Sequence, residues 1–523
     1  MDEHSFWTSA IQRVYHGGTL LRDKEGHMPT ELFGEYDVVV AGGGVAGCSA
    51  AIAAARAGAN TILIERFGIL GGIMNVSGPP GWAYSHLFNN HGETIIAGIV
   101  EETHHRLEKE GHALPYPKPA DREFDSYAFV DPDWWGLLIF QMMTENKVNL
   151  LLHSLVVDVI KEGDAVRGVI VENTAGRQLV RGKVVIEATG EGDIAVRAGV
   201  PYTKIDRKKE EIDPPSITFH VDGVDWNKVT AYLKQNPEEV FGPERRNASP
   251  EERAARQKRL KEFMDCKSLL DLVRKGTLGT ITFRKLTREA LANGDFHPYG
   301  DLGFFFTYRD GGVIQPVFQH SAQVKDCDTT DVRELTAGEV EARRQTAIAL
   351  KALKKYLPGF ENAYFTRLTS YMRTREGRHF IGDYQMVFDD VVQARKFPDV
   401  IAKSGMSVSV GGPFHSASYP GEAMNVDLDR TMGRPKDGGS YDLPYRSLVP
   451  KNVENMLLAG KVQSMSEDFK RDCLPENMAT GQAAGVAAAI CARRGITPRQ
   501  LEADVSELQD ILVKQGAVLF GTK

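Results

Sequence analysis

The sequence predicts an α/β protein: a parallel sheet with an inserted β-meander, joined to a second domain of the α+β type. Three observations predict this fold class. An apolar strand runs into closely spaced glycines and a small-residue helix near residue 40, apolar residues alternate between residues 148 and 185, and charged helices with separate strands follow residue 201. Strands that alternate with helices favour a parallel sheet, whereas a period of two favours a meander.

Length, charge and cysteine content exclude several classes of function. The chain has 523 residues, enough for two domains, and its formal net charge of −7 gives no support to nucleic-acid binding. The five cysteines form no Cys-x-x-Cys pair, so neither an iron–sulfur cluster nor a redox-active dithiol is expected. No apolar run reaches the roughly 18 residues of a membrane span. We therefore expect a cytoplasmic protein with no membrane span and no nucleic-acid partner.

The first structural unit is a βαβ motif. Three consecutive valines form a short apolar strand that leads into Gly42, Gly44 and Gly47, which have the G-x-G-x-x-G spacing. An alanine-rich helix follows, and then a second strand, Thr61–Ile64, which ends at Glu65. This order is typical of a Rossmann-like dinucleotide-binding unit. The alternative is a glycine-rich turn that binds nothing.

Each position of this motif has a physical role. Gly42 permits the tight turn, Gly44 lets a pyrophosphate approach the backbone, and Gly47 lets the helix lie close to the sheet. The helix N-terminus offers unpaired N–H groups to the phosphates. Glu65 is placed to accept hydrogen bonds from the adenosine ribose, and its charge disfavours the 2′-phosphate of NADP.

Two glycine-containing segments extend the predicted site. Gly71 and Gly72 indicate a second close approach of backbone to ligand, with an ordinary loop as the alternative. The meander returns to the parallel sheet at residues 184–186 and then enters the glycine turn 187–193. Because ligands collect at the carboxyl ends of parallel strands, this turn is expected beside the nucleotide.

Helices are predicted between these strands, at residues 93–111 and at Trp134–Met143. His104, His105 and His112 raise the question of a metal site. The first two are adjacent and therefore do not share a helix face. No metal site is predicted.

The segment 201–370 is predicted to be a substrate or cap domain, with its charge runs on solvated helix faces. Its predicted strands and helices are Ser216–Val221 (strand), Glu251–Lys275 (helix), Phe304–Tyr308 (strand), Gly312–Phe318 (strand) and Gly338–Tyr356 (helix).

The last part of the chain predicts a strand at residues 455–461, a helix that opens at residues 475–485 and runs to Arg494, and a final helix after Thr497. Small residues at the start of the long helix would let its N-terminus approach a ligand. The helix dipole would then stabilise negative charge on that ligand.

Two further segments are candidates for catalysis. Residues 371–379 are dense in charge, and they form either a surface salt-bridge cluster or an anion-binding patch. His415 lies in a glycine-containing loop and is a candidate general base, since an imidazole titrates near working pH. A structural histidine is the alternative.

Five sequence blocks, in order, resemble the FAD-dependent oxidoreductase family of the two-dinucleotide-binding-domain type, related more distantly to glutathione reductase and fumarate reductase flavoproteins. The blocks are AGGGVAGCSAAIAAARAG, LIERFGILGG, IEATGEGDIAVRAGVPY, LPYRSLVPKNVENMLLAGK and MATGQAAGVAAA. The resemblance implies FAD, bound in an extended form by a Rossmann-like FAD-binding domain. The second domain would hold the substrate.

The resemblance also implies the residues that contact the cofactor, from the pyrophosphate and adenosine to the ribityl chain and flavin pyrimidine. They are Gly42, Gly43, Gly44, Val45, Ala46, Gly47, Glu65, Arg66, Gly71, Gly72, Val157, Ala188, Thr189, Gly190, Asp193, Gly460, Thr480, Gly481, Gln482 and Ala483.

For catalysis, the charged segment is similar to a family pattern in which Arg375 and Arg378 are present and His379 replaces a second arginine. Our hypothesis is that Arg375 and Arg378 bind a carboxylate or other polar group of the substrate. His415 or His379 would exchange the proton.

We therefore predict a FAD-dependent oxidoreductase that transfers a hydride between the flavin and an unidentified small molecule. The use of an external electron acceptor or donor and the formation of a homo-oligomer are left open. Two alternatives remain: a non-redox nucleotide-binding scaffold or carrier on the same fold, and a flavin monooxygenase. The predicted divisions are an N-terminal extension (1–33), the FAD-binding domain in two parts (34–200 and 371–495), the cap domain (201–370) and a C-terminal helix (496–523).

Overall fold

The computed structural model describes residues 20–21, 30–78, 84–116, 127–207, 212–241, 250–275, 277–409, 432–467, 469 and 473–523. The general-base candidate His415 and most of the predicted extension 1–33 lie outside the described residues.

The strands of the described residues are numbered in chain order. They are β1 (Leu20–Leu21), β2 (Thr30–Ala41), β3 (Thr61–Ile64), β4 (Tyr84–Ser85), β5 (Tyr127–Ala128), β6 (Asn149–Leu151), β7 (Leu155–Glu162), β8 (Ala165–Asn173), β9 (Gly176–Glu187), β10 (Tyr202–Thr203), β11 (Phe219–Asp222), β12 (Thr280–Ile281), β13 (Phe304–Arg309), β14 (Val313–Phe318), β15 (Tyr364–Leu368), β16 (His379–Phe380), β17 (Val400–Ser404), β18 (Val408–Ser409), β19 (Met432–Gly433), β20 (Tyr441–Pro444) and β21 (Met456–Leu458).

The α-helices are numbered in the same way. They are α1 (Val45–Arg56), α2 (Ile99–Lys109), α3 (Pro132–Glu145), α4 (Asp193–Ala198), α5 (Trp226–Gln235), α6 (Glu238–Phe241), α7 (Pro250–Asp265), α8 (Leu269–Arg274), α9 (Arg284–Ala292), α10 (Val332–Tyr356), α11 (Phe388–Val392), α12 (Leu474–Arg494), α13 (Pro498–Leu501) and α14 (Ser506–Lys514).

The largest sheet is built around parallel strands in the order β6–β3–β2–β9–β21. In its centre, Val38 of β2 pairs with Thr61 of β3 on one side and with Val184 of β9 on the other. The valines of β2 are completely buried, because packed layers cover both faces of the sheet. The predicted α/β fold class is confirmed.

The meander joins this sheet through β9. Strands β7, β8 and β9 pair antiparallel, and β9 pairs with β8 along its first half and with β21 at its last residues. One long strand therefore belongs to both the meander and the parallel sheet, as the alternating pattern predicts.

Two apolar cores cover the parallel sheet. Val38 and Val40 contribute to a core with α1, α2, α3 and α12, whereas Val39 points to the opposite core, which includes α4 and the meander. Successive residues of a strand face opposite sides. The central strand therefore contributes to both cores.

The second domain contains an antiparallel sheet in the order β12–β13–β14–β11–β15. Phe304, Phe306 and Phe318 pack on one face of this sheet against α5, α8, α9 and α10. A sheet with its helices on one face is the α+β domain that the sequence predicts.

Four predicted helices have wrong boundaries. The helix expected at Gly338–Tyr356 begins at Val332, because Asp331 caps it by accepting hydrogen bonds from Arg333 N and Glu334 N. The helix expected at residues 93–111 begins at Ile99, since Gly98 has a φ of +70° and Ile95 N donates to Leu87 O at 2.9 Å. The helix expected at 251–275 is two helices, because Ser268 caps the start of α8 by accepting a hydrogen bond from Leu270 N. The final helix is likewise divided into α13 and α14.

Candidate functional site

The carboxyl ends of four parallel strands meet at one edge of the large sheet. Strand β2 leads into Gly42, β3 into Glu65, β9 into Ala188 and β21 into the turn at Gly460. The backbone joins these ends directly, since Gly42 N donates to Ile64 O and Ala188 N donates to Ala41 O, both at 2.9 Å. The sequence predicts that these segments come together, and the structure brings them together.

The three glycines of the turn after β2 differ in the space around them. Gly42 has a φ of +102°, and a Cβ added there would lie 2.5 Å from Ala188 O. A Cβ on Gly47 would lie 1.8 Å from Gly42 O, so the first turn of α1 sits directly on the glycine turn. A Cβ on Gly44 would meet nothing within 4 Å. The turn therefore leaves open space above Gly44 alone among its motif glycines.

The N-terminus of α1 at this open space has no protein acceptor from a side chain. Gly44 is the N-cap residue and gives no side-chain cap, and the first turn, which includes Val45 and Ala46, holds no acidic residue. The first N–H groups of a helix have no partner within the helix and carry its positive dipole end. An anionic group such as a phosphate fits these donors.

Glu65 ties the end of β3 to the glycine turn. Its Oε2 accepts a hydrogen bond from Gly43 N at 2.7 Å, and its Oε1 accepts one from Phe67 N at 2.9 Å. The residue is 8% exposed, and burial raises the pKa of its carboxyl group. Each carboxylate oxygen accepts more than one hydrogen bond. Contact with a ribose remains compatible with these bonds, and it stays a prediction.

The paired glycines pack against the same turn. Gly71 N donates to Gly43 O at 2.8 Å with a φ of +112°, and a Cβ on Gly72 would lie 3.0 Å from Gly44 Cα. Arg66, just before them, is exposed and stacks over the rings of Phe67 (4.8 Å) and Tyr371 (5.3 Å).

Val157 lies near the start of β7, and β7 begins at this edge of the sheet. Ser154 N donates to Glu65 O at 3.0 Å, so β7 begins beside the end of β3. The β7–β8 pairing is irregular between Val156 and Asp158, and Val157 has no Cα partner in β8. Its contact with adenine stays a prediction.

The turn after β9 is organised by Glu187, which the sequence analysis does not assign to the site. Its side chain is fully buried, and Oε1 accepts from Thr189 N at 2.7 Å while Oε2 accepts from Ile194 N at 3.0 Å. It thereby closes the turn that contains Gly190 and caps α4, which begins at Asp193. An acidic residue at the end of an apolar strand is the signal that would have revealed it.

The placement of the long C-terminal helix differs from the prediction. Helix α12 begins at Leu474, so Thr480, Gly481, Gln482 and Ala483 lie more than a turn inside it. A Cβ on Gly481 would lie 2.1 Å from Ala46 O; this small residue serves the contact between α12 and α1 rather than an approach of the helix end.

The neighbours of Gly481 also have protein partners. Thr480 Oγ1 accepts from Gly460 N at 3.2 Å, and Gln482 Oε1 accepts from Ile99 N at 3.1 Å, which caps α2. Ala483 is completely buried. The Thr480 contact connects this group to the turn after β21.

The charged segment 371–379 has contacts on several sides. Arg375 Nη1 donates to Pro214 O at 2.6 Å and to Ser216 Oγ at 2.9 Å. Arg378 Nη1 donates to Glu191 O and to Asp193 Oδ1, both at 2.8 Å.

His379 lies on β16, and its Nε2 is 3.7 Å from Glu376 Oε1. The structure thus places Arg378 beside the turn after β9, whereas Arg375 and His379 have partners elsewhere.

Lys461 connects this segment to the strand ends. Its Nζ lies 2.5 Å from Glu191 Oε1 and 3.2 Å from Thr374 Oγ1, and Thr374 Oγ1 also bonds Glu191. Three distant parts of the sequence therefore meet at one lysine. Its position directly after Gly460 is the signal that sequence analysis overlooked.

Comparison with known proteins identifies the family. A family model described as FAD dependent oxidoreductase matches residues 37–512. The chain belongs to the FAD-dependent oxidoreductase family. FAD is its cofactor, as the sequence predicts, and the chain is an enzyme of the oxidoreductase class.

Solved structures similar to this FAD-dependent oxidoreductase share little sequence with it. A geranylgeranyl bacteriochlorophyll reductase-like protein from Thermoplasma acidophilum has a TM-score of 0.41 and 12% identity, over 92% of this chain and 84% of the other. The flavin-dependent brominase Bmp2 has a TM-score of 0.42 and 13% identity, over 91% and 84%. The p-nitrophenol 4-monooxygenase PnpA from Pseudomonas putida DLL-E4 has a TM-score of 0.39 and 11% identity, over 92% and 88%.

Two classes of feature are missing from the part of this FAD-dependent oxidoreductase that the structure describes. Among those residues, no helix has the length and apolar character that a bilayer crossing requires. The same residues contain no group of three or more His, Cys, Asp and Glu side chains suited to a metal ion.

Proposed function

We propose that this protein transfers a hydride between FAD and a small-molecule substrate that binds between the glycine-turn edge of the large sheet and the antiparallel sheet of the second domain. The observation that carries the proposal is the open space over Gly44 at the uncapped N-terminus of α1, next to Glu65. Bound FAD supplies hydride acceptance and donation at its N5 atom. The chain supplies position, hydrogen bonds and proton transfer.

The residues of the chain divide this work. The N–H groups at the start of α1 hold the pyrophosphate, and Glu65 holds the adenosine ribose while it fixes Gly43 through its Oε2. Lys461 Nζ donates to Glu191 Oε1 at 2.5 Å, and this contact would hold together the turns after β21 and β9 at the cofactor site.

The proposal also includes Arg375 and Arg378 as residues that bind the substrate, and His379 as a residue that exchanges a proton with it. Arg378 donates through Nη1 to Glu191 O and Asp193 Oδ1, and a guanidinium has five N–H donors in all. His379 and His415 remain candidates for proton exchange.

The test is the visible spectrum and anaerobic reduction of the FAD-loaded protein. We expect two flavin bands that appear in the supernatant after denaturation, and bleaching of the longer-wavelength band by at least one compound in a panel of small carboxylates, alcohols and amines. His379→Asn should slow that bleaching while FAD stays bound.

Three results would contradict the proposal. Protein that takes up no FAD would remove it altogether. The monooxygenase alternative would be favoured if only NADPH or NADH bleached the bound flavin and if oxygen consumption were coupled to hydroxylation of the substrate. Flavin that no compound reduces would favour the non-redox carrier.

A further inference from the structure

The antiparallel sheet of the second domain has one apolar and one polar face. On β13, alternate residues Phe304, Phe306 and Tyr308 belong to the buried aromatic core. Arg309, the next residue, therefore lies on the opposite face of the sheet. His220 follows core residue Phe219 on β11 and therefore also lies on that opposite face. The polar face looks away from the helices of its own domain.

Arg367 lies on the same face because it pairs directly with His220, and a bulge adds Thr366 beside it. The pairing of β11 with β15 moves from His220↔Arg367 to Val221↔Phe365, so β15 advances by two residues while β11 advances by one. The extra residue is Thr366, and both Thr366 and Arg367 line the same cavity although neighbours on a regular strand face opposite sides. Bulges commonly re-aim side chains in this way beside binding sites.

The side chains of the polar face enclose a cavity of about 260 Å³. Its walls are His220, Arg309, Gln315, Thr366 and Arg367 from the sheet, with Asp133 from the first turn of α3. Nearly all of these groups are polar or charged. A cavity of this composition is unlike a packing defect, because empty cavities in protein cores are apolar.

His220 is the strongest sign that the cavity has a ligand. The residue is 1% exposed, and within the described part of the chain no group makes a hydrogen bond of full geometry to Nδ1 or Nε2. Gln315 lies beside the ring as a weak hydrogen-bond partner whose contact falls short of that geometry. A buried polar group without a partner is costly, and native proteins rarely keep one. The imidazole has one donor and one acceptor for a group inside the cavity.

Arg309 and Arg367 bring two guanidinium groups to the cavity, where Asp131 and Asp133 are their carboxylate partners. Arg367 Nη2 donates to Asn75 O at 2.7 Å, while its buried Nη1 lies 3.0 Å from Asp133 Oδ1 without hydrogen-bond geometry. Arg309 Nη2 lies 2.8 Å from Asp133 Oδ2, and its Nη1 lies 3.4 Å from Asp131.

Asp133 is the only carboxylate that lines this cavity among the described residues, and its side chain is 48% exposed. A partly exposed ion pair is worth little, about 0–1 kcal/mol at the surface. A ligand carboxylate that enters the cavity therefore competes well with Asp133 for the two guanidinium groups, whose forks suit planar oxyanions.

The cavity also adjoins the cofactor side of the molecule. Asn75, which accepts from Arg367, lies three residues after Gly72, and Gly71 and Gly72 pack on the glycine turn that contains Gly44. One short loop therefore separates the polar face from the predicted FAD site.

We propose that this cavity is an oxyanion-binding site, in which Arg309 and Arg367 bind a carboxylate or phosphate group of a small molecule and His220 hydrogen-bonds to an adjacent polar atom of that molecule. The ligand is the substrate of the flavin reaction. This last assignment rests on the proposed function, whereas anion binding does not depend on it.

Calorimetric titration of the FAD-loaded protein tests the site with three probes: benzoate, its neutral isostere benzamide, and inorganic phosphate, all at constant ionic strength. We expect saturable binding of benzoate or of phosphate and none of benzamide. Saturation by benzoate alone identifies a carboxylate site, and saturation by phosphate alone identifies a phosphate site.

Substitutions then locate the binding. Arg367→Met and Arg309→Met should each weaken the bound anion at least tenfold, and His220→Phe should weaken it less. Arg344→Met on α10 is the matched control, because Arg344 is exposed and pairs only with Glu341 there. Arg309→Met keeps the experiment decisive if loss of the Asn75 contact unfolds Arg367→Met.

Binding of neither anion, or equal binding in wild type and Arg309→Met, would overturn the proposal. Flavin reduction is a separate readout. If the protein binds benzoate through Arg309 but never transfers a hydride, the anion-site proposal holds and the proposed function is contradicted.

Discussion

At the scale of single residues, Glu65 is the side chain on which the cofactor site depends most directly. Its carboxylate already accepts hydrogen bonds from Gly43 N and Phe67 N, so its charge holds two segments of the site before any ligand binds. We predict that Glu65→Gln raises the Kd for FAD about 10- to 100-fold. Hydrogen bonds to a charged group contribute about 1.5–3 kcal/mol, and the amide cannot accept through both ends.

Fluorescence titration of the FAD-free protein with FAD measures this effect. Glu35→Gln is the matched control, because Glu35 lies on the same strand β2 with an exposed side chain and only a 3.7 Å ion pair to Arg181. An unchanged Kd in Glu65→Gln would show that the ribose binds elsewhere.

At the scale of secondary-structure elements, the contact between α1 and α12 fixes the helix that faces the phosphates. Gly481 and Gly485 lie so close to α1 that a Cβ on either would approach within 2.1 Å of a main-chain oxygen, that of Ala46 or Ala50. We predict that Gly481→Ala destabilises the FAD-free protein by about 1–3 kcal/mol, the usual cost of overpacking. Calorimetric Tm measurements report the loss.

Gly44→Ala separates packing from cofactor binding. Gly44 has a φ of −71° and open space around its Cβ direction, so alanine should leave the Tm of the FAD-free protein unchanged. The same methyl group would occupy the space proposed for the pyrophosphate, and we expect at least a tenfold loss of FAD affinity. If Gly44→Ala bound FAD normally, the phosphates would lie elsewhere.

At the scale of the whole molecule, buried neutral histidines make the fold sensitive to acid. His297 is 6% exposed, its Nε2 bonds Ser321 O at 2.8 Å, and burial lowers its pKa to about 4. Because the unfolded chain binds this proton near pH 6.5, stability is lost as the pH falls below about 6.5 and the loss ends below about pH 4. At pH 5 the expected loss is about 2 kcal/mol.

Replacement of His297 tests this linkage. His297→Gln retains a donor for Ser321 O but does not titrate, so the free energy of unfolding of wild type relative to this variant should fall by about 2 kcal/mol between pH 8 and pH 5. Urea unfolding over that range is the measurement. His105→Gln is the control, since His105 is exposed. Parallel pH profiles for wild type and His297→Gln would contradict the prediction.

Local sequence was sufficient for the elements whose neighbours are close in the chain. The βαβ unit from β2 to Glu65 is correct because a strand, a glycine turn and a helix determine one another over about 30 residues. The meander is correct from β7 to β9 for the same reason, since hairpin partners are adjacent. Its expected first strand, near residues 148–152, is wrong, because β6 pairs parallel with β3 instead. The packing of Gly481 on α1 was not predicted because it depends on Ala46, more than 400 positions earlier in the sequence, and its contact with the cofactor stays a prediction.

The sequence by itself determined the parallel sheet, the glycine turn of a dinucleotide-binding unit and the existence of a second α+β domain, because periodicity and short motifs encode them locally. The identity of the cofactor as FAD came from the resemblance of five sequence blocks to a family. Only the tertiary structure decided that α12 packs on α1 through glycine, that Glu187 caps α4, and that His220, Arg309 and Arg367 share one cavity. These last three residues lie on three strands, and the order and register of those strands set their proximity. Strand order arises from long-range packing of apolar faces, which residue spacing along the chain does not record.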